Sequence, residues 1–183
     1  MNLPPLARVR QNIDQPRVED PAGTVRRLIL ESRLRERVPA GGTVAVGVGS
    51  RGIKNIGAMA RSAVDTLKEM GYRPFIVAAM GSHGGATPEG QRELLAEYGV
   101  TAEAMGVPVR TEMETVVLGT NPVGLPIYFD KNAHGADGIV LLNRVKPHSD
   151  FHATYESGIV KMMVIGLASA TARPRSTSWA SAG

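Results

Sequence analysis

The chain contains no cysteine, which removes disulfides, thiolate metal sites and cysteine nucleophiles together. Any metal would have to be held by His, carboxylate or Lys, or arrive inside a cofactor. Aromatic residues are scarce, at 4%, and the net charge is only +4. Arg26, Arg27, Arg33, Arg35 and Arg37 gather on one expected helix. Without aromatic platforms they make a poor nucleic-acid surface, so no nucleic-acid partner is expected. No apolar run approaches the roughly 20 residues needed to cross a bilayer. The opening MNLPPLARVR has two prolines and no apolar centre, unlike a signal peptide. These absences point to a soluble, cytoplasmic protein with no membrane partner. At 183 residues one domain is expected, able to bury about 70% of its unfolded surface.

What is present alternates between strand and helix signals. Asp20 before Pro21 reads as an N-cap with proline in the first helical position. Val25, Leu28, Ile29 and Leu34 then give an apolar face to about Arg37. Pro39 to Gly42 is a turn, and Thr43 to Val48 an apolar, β-branched strand. Asn55 reads as the cap of a second helix carrying Ile56, Met59, Ala60, Ala63, Val64, Leu67 and Met70, with Gly71 just past its end. Pro74 to Met80 is a second buried strand. Thr87 and Pro88 start a third helix with Leu94, Leu95 and Tyr98, which Gly99 stops. Val116 to Leu118, the turn Asn121 to Gly124, and Leu125 to Phe129 suggest a hairpin. Gly138 to Leu142 is a further strand, and Met162 to Leu167 reads as one more. The expected fold is α/β: an open, largely parallel sheet with flanking helices and an antiparallel hairpin portion.

Four groups invite chemistry. Gly47, Gly49 and Gly52 spell G-x-G-x-x-G between a strand and a helix. The pattern fits a plain tight turn, an anion site with Ser50 and Arg51 beside helical N–H groups, or a dinucleotide site. A dinucleotide site also wants an acid at the end of the next strand, and that strand ends in Met80-Gly-Ser-His83 instead. His83 stands among glycines at a strand's carboxyl end, where α/β sheets bind ligands. It is either a solvated loop residue or an acid/base group titrating near neutrality. His148 and His152 have the spacing of a helical metal pair, but Pro147 argues for a loop, so no metal ligand is assigned. Lys161, within Ile159-Val-Lys-Met-Met-Val164, either snorkels to the surface or has a covalent role. His134, between Asn132 and Gly135, reads as an ordinary loop residue.

The segment Asn143 to Leu167 is the densest in such groups, and the sixteen residues after it are not. ASATARPRSTSWASAG cannot build a packed element. Residues 1–167 are therefore expected to form the domain and 168–183 a disordered, low-complexity tail, with the composition of a shifted reading frame.

In their order, these pieces resemble the N-terminal domain of the nickel-dependent lactate racemase family, from about Leu6 to Leu167. The resemblance rests on the Gly-Ser-Arg51-Gly turn, on AAMGSHGGATPE with His83, and on KPHSDF followed by SGIVK, with His148 and Lys161. It implies a nickel pincer nucleotide (pyridinium-3,5-bisthiocarboxylic acid mononucleotide nickel) as cofactor and a small 2-hydroxy acid as substrate. The implied reaction is racemisation or epimerisation of lactate or a related acid by proton-coupled hydride transfer. His83 and His148 would be the acid/base pair serving the two stereoisomers. Lys161 would be tethered to the cofactor, and Gly49, Ser50, Arg51 and Gly52 would contact it or the substrate.

The resemblance also implies a C-terminal domain and a nickel-ligating histidine, which this sequence does not show after Leu167. The chain alone is then expected to hold part of the site and to be inactive. The segment between His148 and Lys161 departs from the racemase pattern, so other 2-hydroxy acids fit as well as lactate. Two alternatives stand beside this reading: a non-catalytic nucleotide- or phosphate-binding module, and an NAD(P)-dependent oxidoreductase.

Overall fold

A computed structural model describes residues 8–12, 17–50, 52–146, 152 and 154–168. Helix α1, Pro21–Glu31, starts as its sequence dictates. The Asp20 side chain accepts the Gly23 N–H at 2.9 Å and Pro21 fills the first turn. It ends earlier than the apolar periodicity suggests. Ser32 is extended, and its hydroxyl donates to the Ile29 carbonyl at 2.6 Å, so Leu34–Arg37 forms a separate short helix, α2. Leu28 does not join the buried face: it is 54% exposed, whereas Ile29 is buried and Val25 packs beside it.

Strand β1, Thr43–Val48, leads to α3, Ile56–Glu69. Asn55 does not cap α3 through its side chain. It lies in the left-handed region at φ 63°, which asparagine tolerates better than most residues. Gly71, at φ +86°, turns the chain into β2, Arg73–Ala78. The apolar run to Met80 outlasts the strand because Gly81 adopts φ +60°. A single 3₁₀ turn, Gly84–Ala86, precedes α4, Pro88–Glu97, whose cap Thr87 accepts the Gly90 N–H at 3.1 Å.

The short helix α5, Ala102–Met105, precedes a two-residue strand, β3, Val109–Arg110, that the periodicity did not announce. The hairpin follows as β4, Thr115–Thr120, and β5, Pro126–Asp130, with an irregular register between Val117 and Gly119. Lys131–His134 forms α6, so His134 ends a helical turn rather than sitting in a loop. The buried Asp130 carboxylate caps it, accepting the Ala133 N–H at 2.7 Å. Strand β6 is Gly138–Leu142.

Strands β3, β2, β1 and β6 lie side by side in that order, all parallel. The chain steps outward from β1 to β2 to β3, then returns past the hairpin to add β6 on the other side of β1. Alternation along β1 sends Val44, Val46 and Val48 into the core built with α1, α3 and α4. Ala45 faces the smaller core of Phe75, Val77, Ala79, Ala133 and Leu167.

Met162 to Leu167 is helical rather than a strand. Ile159–Lys161 forms α7, and Met162–Gly166 continues it as one wide turn in which Leu167 N–H bonds the Met162 carbonyl at 2.8 Å. This turn brings Gly166 against β2, where a Cβ would stand 2.8 Å from the Ala79 carbonyl oxygen. It also sinks Leu167, 1% exposed, into the smaller core. Ile159, Val160, Met163, Val164 and Ile165 stay exposed. No helix among the described residues is long and apolar enough to cross a membrane.

Candidate functional site

The change of direction at β1 opens a crevice at the carboxyl ends of β1 and β6. Such topological switch points are where open α/β sheets bind ligands. A pocket of about 310 Å³ lies there, within the size range of small-molecule sites. Gly49 and Ser50 enter it from the end of β1, and His83 from the loop after β2. Asn143, Arg144 and Lys146 enter from the end of β6, and Lys161 from α7.

Two glycine contacts bring these loops together. A Cβ on Gly49 would lie 3.3 Å from Met162 Cε, so the end of β1 and the wide turn share space that a larger residue would fill. A Cβ on Gly81 would meet the Ile165 carbonyl oxygen at 2.8 Å, and its N–H donates to the Gly166 carbonyl at 3.0 Å. The His83 loop and the segment bearing Lys161 are therefore stitched backbone to backbone.

Among the described residues the lining is electrostatically one-sided: Arg144, Lys146 and Lys161 contribute to it, and no Asp or Glu does. A unit anion about 4 Å from one such cation gains roughly 4 kcal/mol at the screening typical of a protein surface. Arg144 Nη1 donates to the Gly52 carbonyl at 3.2 Å, fixing that cation against the glycine turn. The Lys161 amine has no hydrogen-bonding or ionic partner among the described residues, and the residue is exposed. The Asn143 Nδ2 is buried, beside Gly158, without a hydrogen-bond partner among the described residues.

His83 is half-buried and its Nδ1 is in hydrogen-bond contact with Ser50 Oγ. His152 is exposed, with Nδ1 3.2 Å from Glu156 Oε1. Among the described residues no three His, Cys, Asp or Glu side chains gather as a metal site.

Of the residues singled out in the sequence, Gly49, Ser50, His83 and Lys161 share this pocket. Gly52 lies just outside its lining, exposed at φ +58°. Arg51 and His148 lie outside the described residues. Sequence reasoning missed Asn143, Arg144 and Lys146. They open the dense Asn143 to Leu167 segment, but their individual meaning depends on β6 flanking β1.

Residues 10–173 match the family model described as the lactate racemase N-terminal domain. The chain belongs to that family. No curated protein matches it. The match begins before α1 and covers every strand of the sheet and the described lining of the crevice, so the pocket lies within the matched domain.

Proposed function

We propose that the crevice is the acid/base half of a racemase or epimerase site acting on lactate or a related 2-hydroxy acid. The observation carrying this reading is that His83 and Lys161 line one pocket, together with Arg144 and Lys146, in a lactate racemase N-terminal domain. A 2-hydroxy acid and a nucleotide phosphate are both anions, and Arg144 and Lys146 suit either. His83 takes the substrate's hydroxyl proton: the O–H bond breaks, an N–H bond forms on the imidazole, and the proton returns when the alcohol is re-formed. His148 is proposed for the same task on the other stereoisomer.

The donor set fits a nickel pincer nucleotide. Its phosphate is suited to Arg51, Arg144 and the Gly49–Gly52 turn, and the exposed Lys161 amine is suited to one of its arms. When bound, this group supplies the hydride acceptor that none of these side chains is. A C-terminal domain covering the pocket would complete the site and exclude water.

A second reading, a nucleotide-binding module without catalysis, draws on the same three cations. To separate the two, the chain is loaded with the nickel pincer nucleotide and given the C-terminal domain of an active family member. Interconversion of D- and L-lactate is then followed. Turnover that His83→Ala lowers by about 10²–10⁴-fold supports the racemase reading. Tight nucleotide binding without turnover favours the module, and turnover undiminished in His83→Ala overturns the role of His83.

A further inference from the structure

His83 and Ser50 are each tied to the same helix. At the first turns of α4, Gln91 Nε2 donates to the carbonyls of Gly81 at 2.9 Å and His83 at 3.4 Å. At its far end the Tyr98 hydroxyl donates to the carbonyl of Ser50 at 2.5 Å. Seven residues are close to two helical turns, so both side chains leave the same side of α4, roughly 10 Å apart along its axis. The loop bearing the imidazole and the turn bearing the hydroxyl are thus fixed to one rigid element. Gly84 and Gly90 add to this: a Cβ on Gly90 would fall 2.0 Å from the Gly84 carbonyl oxygen, so the His83 loop lies directly on α4.

What this arrangement sets is the contact between Ser50 Oγ and His83 Nδ1. We infer that Ser50 is a positioning residue that fixes the tautomer of His83, with Nδ1–H donating to the Ser50 hydroxyl oxygen and proton exchange falling to Nε2. The inference rests on the reading of His83 as a base. A neutral imidazole has one N–H and one lone pair, and the imidazolium has two N–H donors. A base that gains its proton at Nε2 carries hydrogen on Nδ1 before and after. Its Nδ1 partner must therefore accept throughout, which a hydroxyl oxygen does.

A hydroxyl also differs from the carboxylate that often orients a catalytic histidine. It brings no negative charge, so it orients the ring without the strong stabilisation of imidazolium that an acid would add. The hydroxyl thus supplies orientation rather than charge.

The test is ¹⁵N NMR of the histidine ring nitrogens in the full chain without any ligand, with His83→Ala to assign the resonances. At a pH where His83 is neutral, the expected result is a protonated Nδ1 and an unprotonated Nε2. Ser50→Ala should shift His83 toward the other tautomer or a mixture, and Ser50→Thr should restore the native pattern. A native Nε2–H tautomer, or a Ser50→Ala spectrum identical to the native one, overturns the inference. In the loaded protein, Ser50→Ala should lower kcat about tenfold with little change in KM. A native tautomer pattern in a protein that never racemises would refute the reading of the reaction. Racemisation through His83 with Ser50→Ala silent in the spectrum would refute the positioning role alone.

Discussion

The N–H of Gly81 donates to the carbonyl of Gly166 at 3.0 Å, and this bond joins the loop of His83 to the segment of Lys161. Gly81 sits at φ +60°, and a Cβ there would press on the Ile165 carbonyl oxygen at 2.8 Å. Gly81→Ala therefore combines left-handed strain with a backbone clash, a cost of about 1–3 kcal/mol. Gly85, at φ +67° with nothing within 4 Å, supplies the comparison, since Gly85→Ala carries strain alone. Thermal unfolding should show the larger loss of Tm for Gly81→Ala. Hydrogen exchange should rise across 159–167 in that variant and not in Gly85→Ala.

Leu167 is the anchor of the wide turn. Its side chain fills the smaller core, and its carbonyl accepts the Asp130 N–H at 2.7 Å. Leu167→Ala should cost about 2–5 kcal/mol and lower Tm by at least about 4 °C. A change under about 1 °C would mean that the segment does not pack on the sheet.

Two carboxylates should give stability opposite pH dependences. Burial raises the pKa of Asp130; the N–H bonds from Ala133 and Asn132 oppose this, and nearby Glu112 reinforces it. Its folded pKa thus exceeds the unfolded one, so its favourable contribution is complete below the unfolded pKa and is lost as pH rises through the folded value. Asp137 is lowered, because its carboxylate accepts the N–H and hydroxyl of Thr43 and lies near Arg73. Its contribution is present above the unfolded pKa and is lost as pH falls through the folded one. In denaturant titrations from about pH 3 to 7, Asp130→Asn should gain relative to the native chain as pH rises. Asn still caps α6. Asp137→Asn should fall behind over the same rise.

The pocket cations make a prediction about salt. Nicotinamide mononucleotide, a pyridinium nucleotide with one phosphate, serves as the probe. Lys146→Ala should weaken its binding about three- to tenfold, equivalent to roughly 0.6–1.4 kcal/mol. Raising ionic strength from about 0.02 to 0.2 M should weaken native binding too. Affinity indifferent to both would remove the electrostatic argument for an anion site.

Local signals in the sequence were read correctly where the physics is local. The Asp20–Pro21 and Thr87–Pro88 starts are written in adjacent residues, and β1 coincides with its β-branched run. Other features depend on partners distant in the chain. Leu28 has the spacing of a core residue, yet the packing of α1 on α3 turns it to solvent. Asn55 has the composition of a cap, yet the turn before α3 holds it in the left-handed region. Met162 to Leu167 carries strand-like composition but finds no strand to pair with, and it curls so that Gly166 can meet Ala79. The site divides the same way. His83 was legible from its place after a strand, whereas Arg144 and Lys146 gain meaning only from the parallel pairing of β6 with β1.

The proposed site requires that Lys161 face a nickel-bearing nucleotide in this crevice. Calorimetric titration of the native chain, Lys161→Ala and His83→Ala with nickel pincer nucleotide addresses it. Saturable one-site binding is expected, weakened tenfold or more in Lys161→Ala and changed little in His83→Ala. Absence of binding to the native chain, or equal affinity for native and Lys161→Ala, would contradict the proposed site.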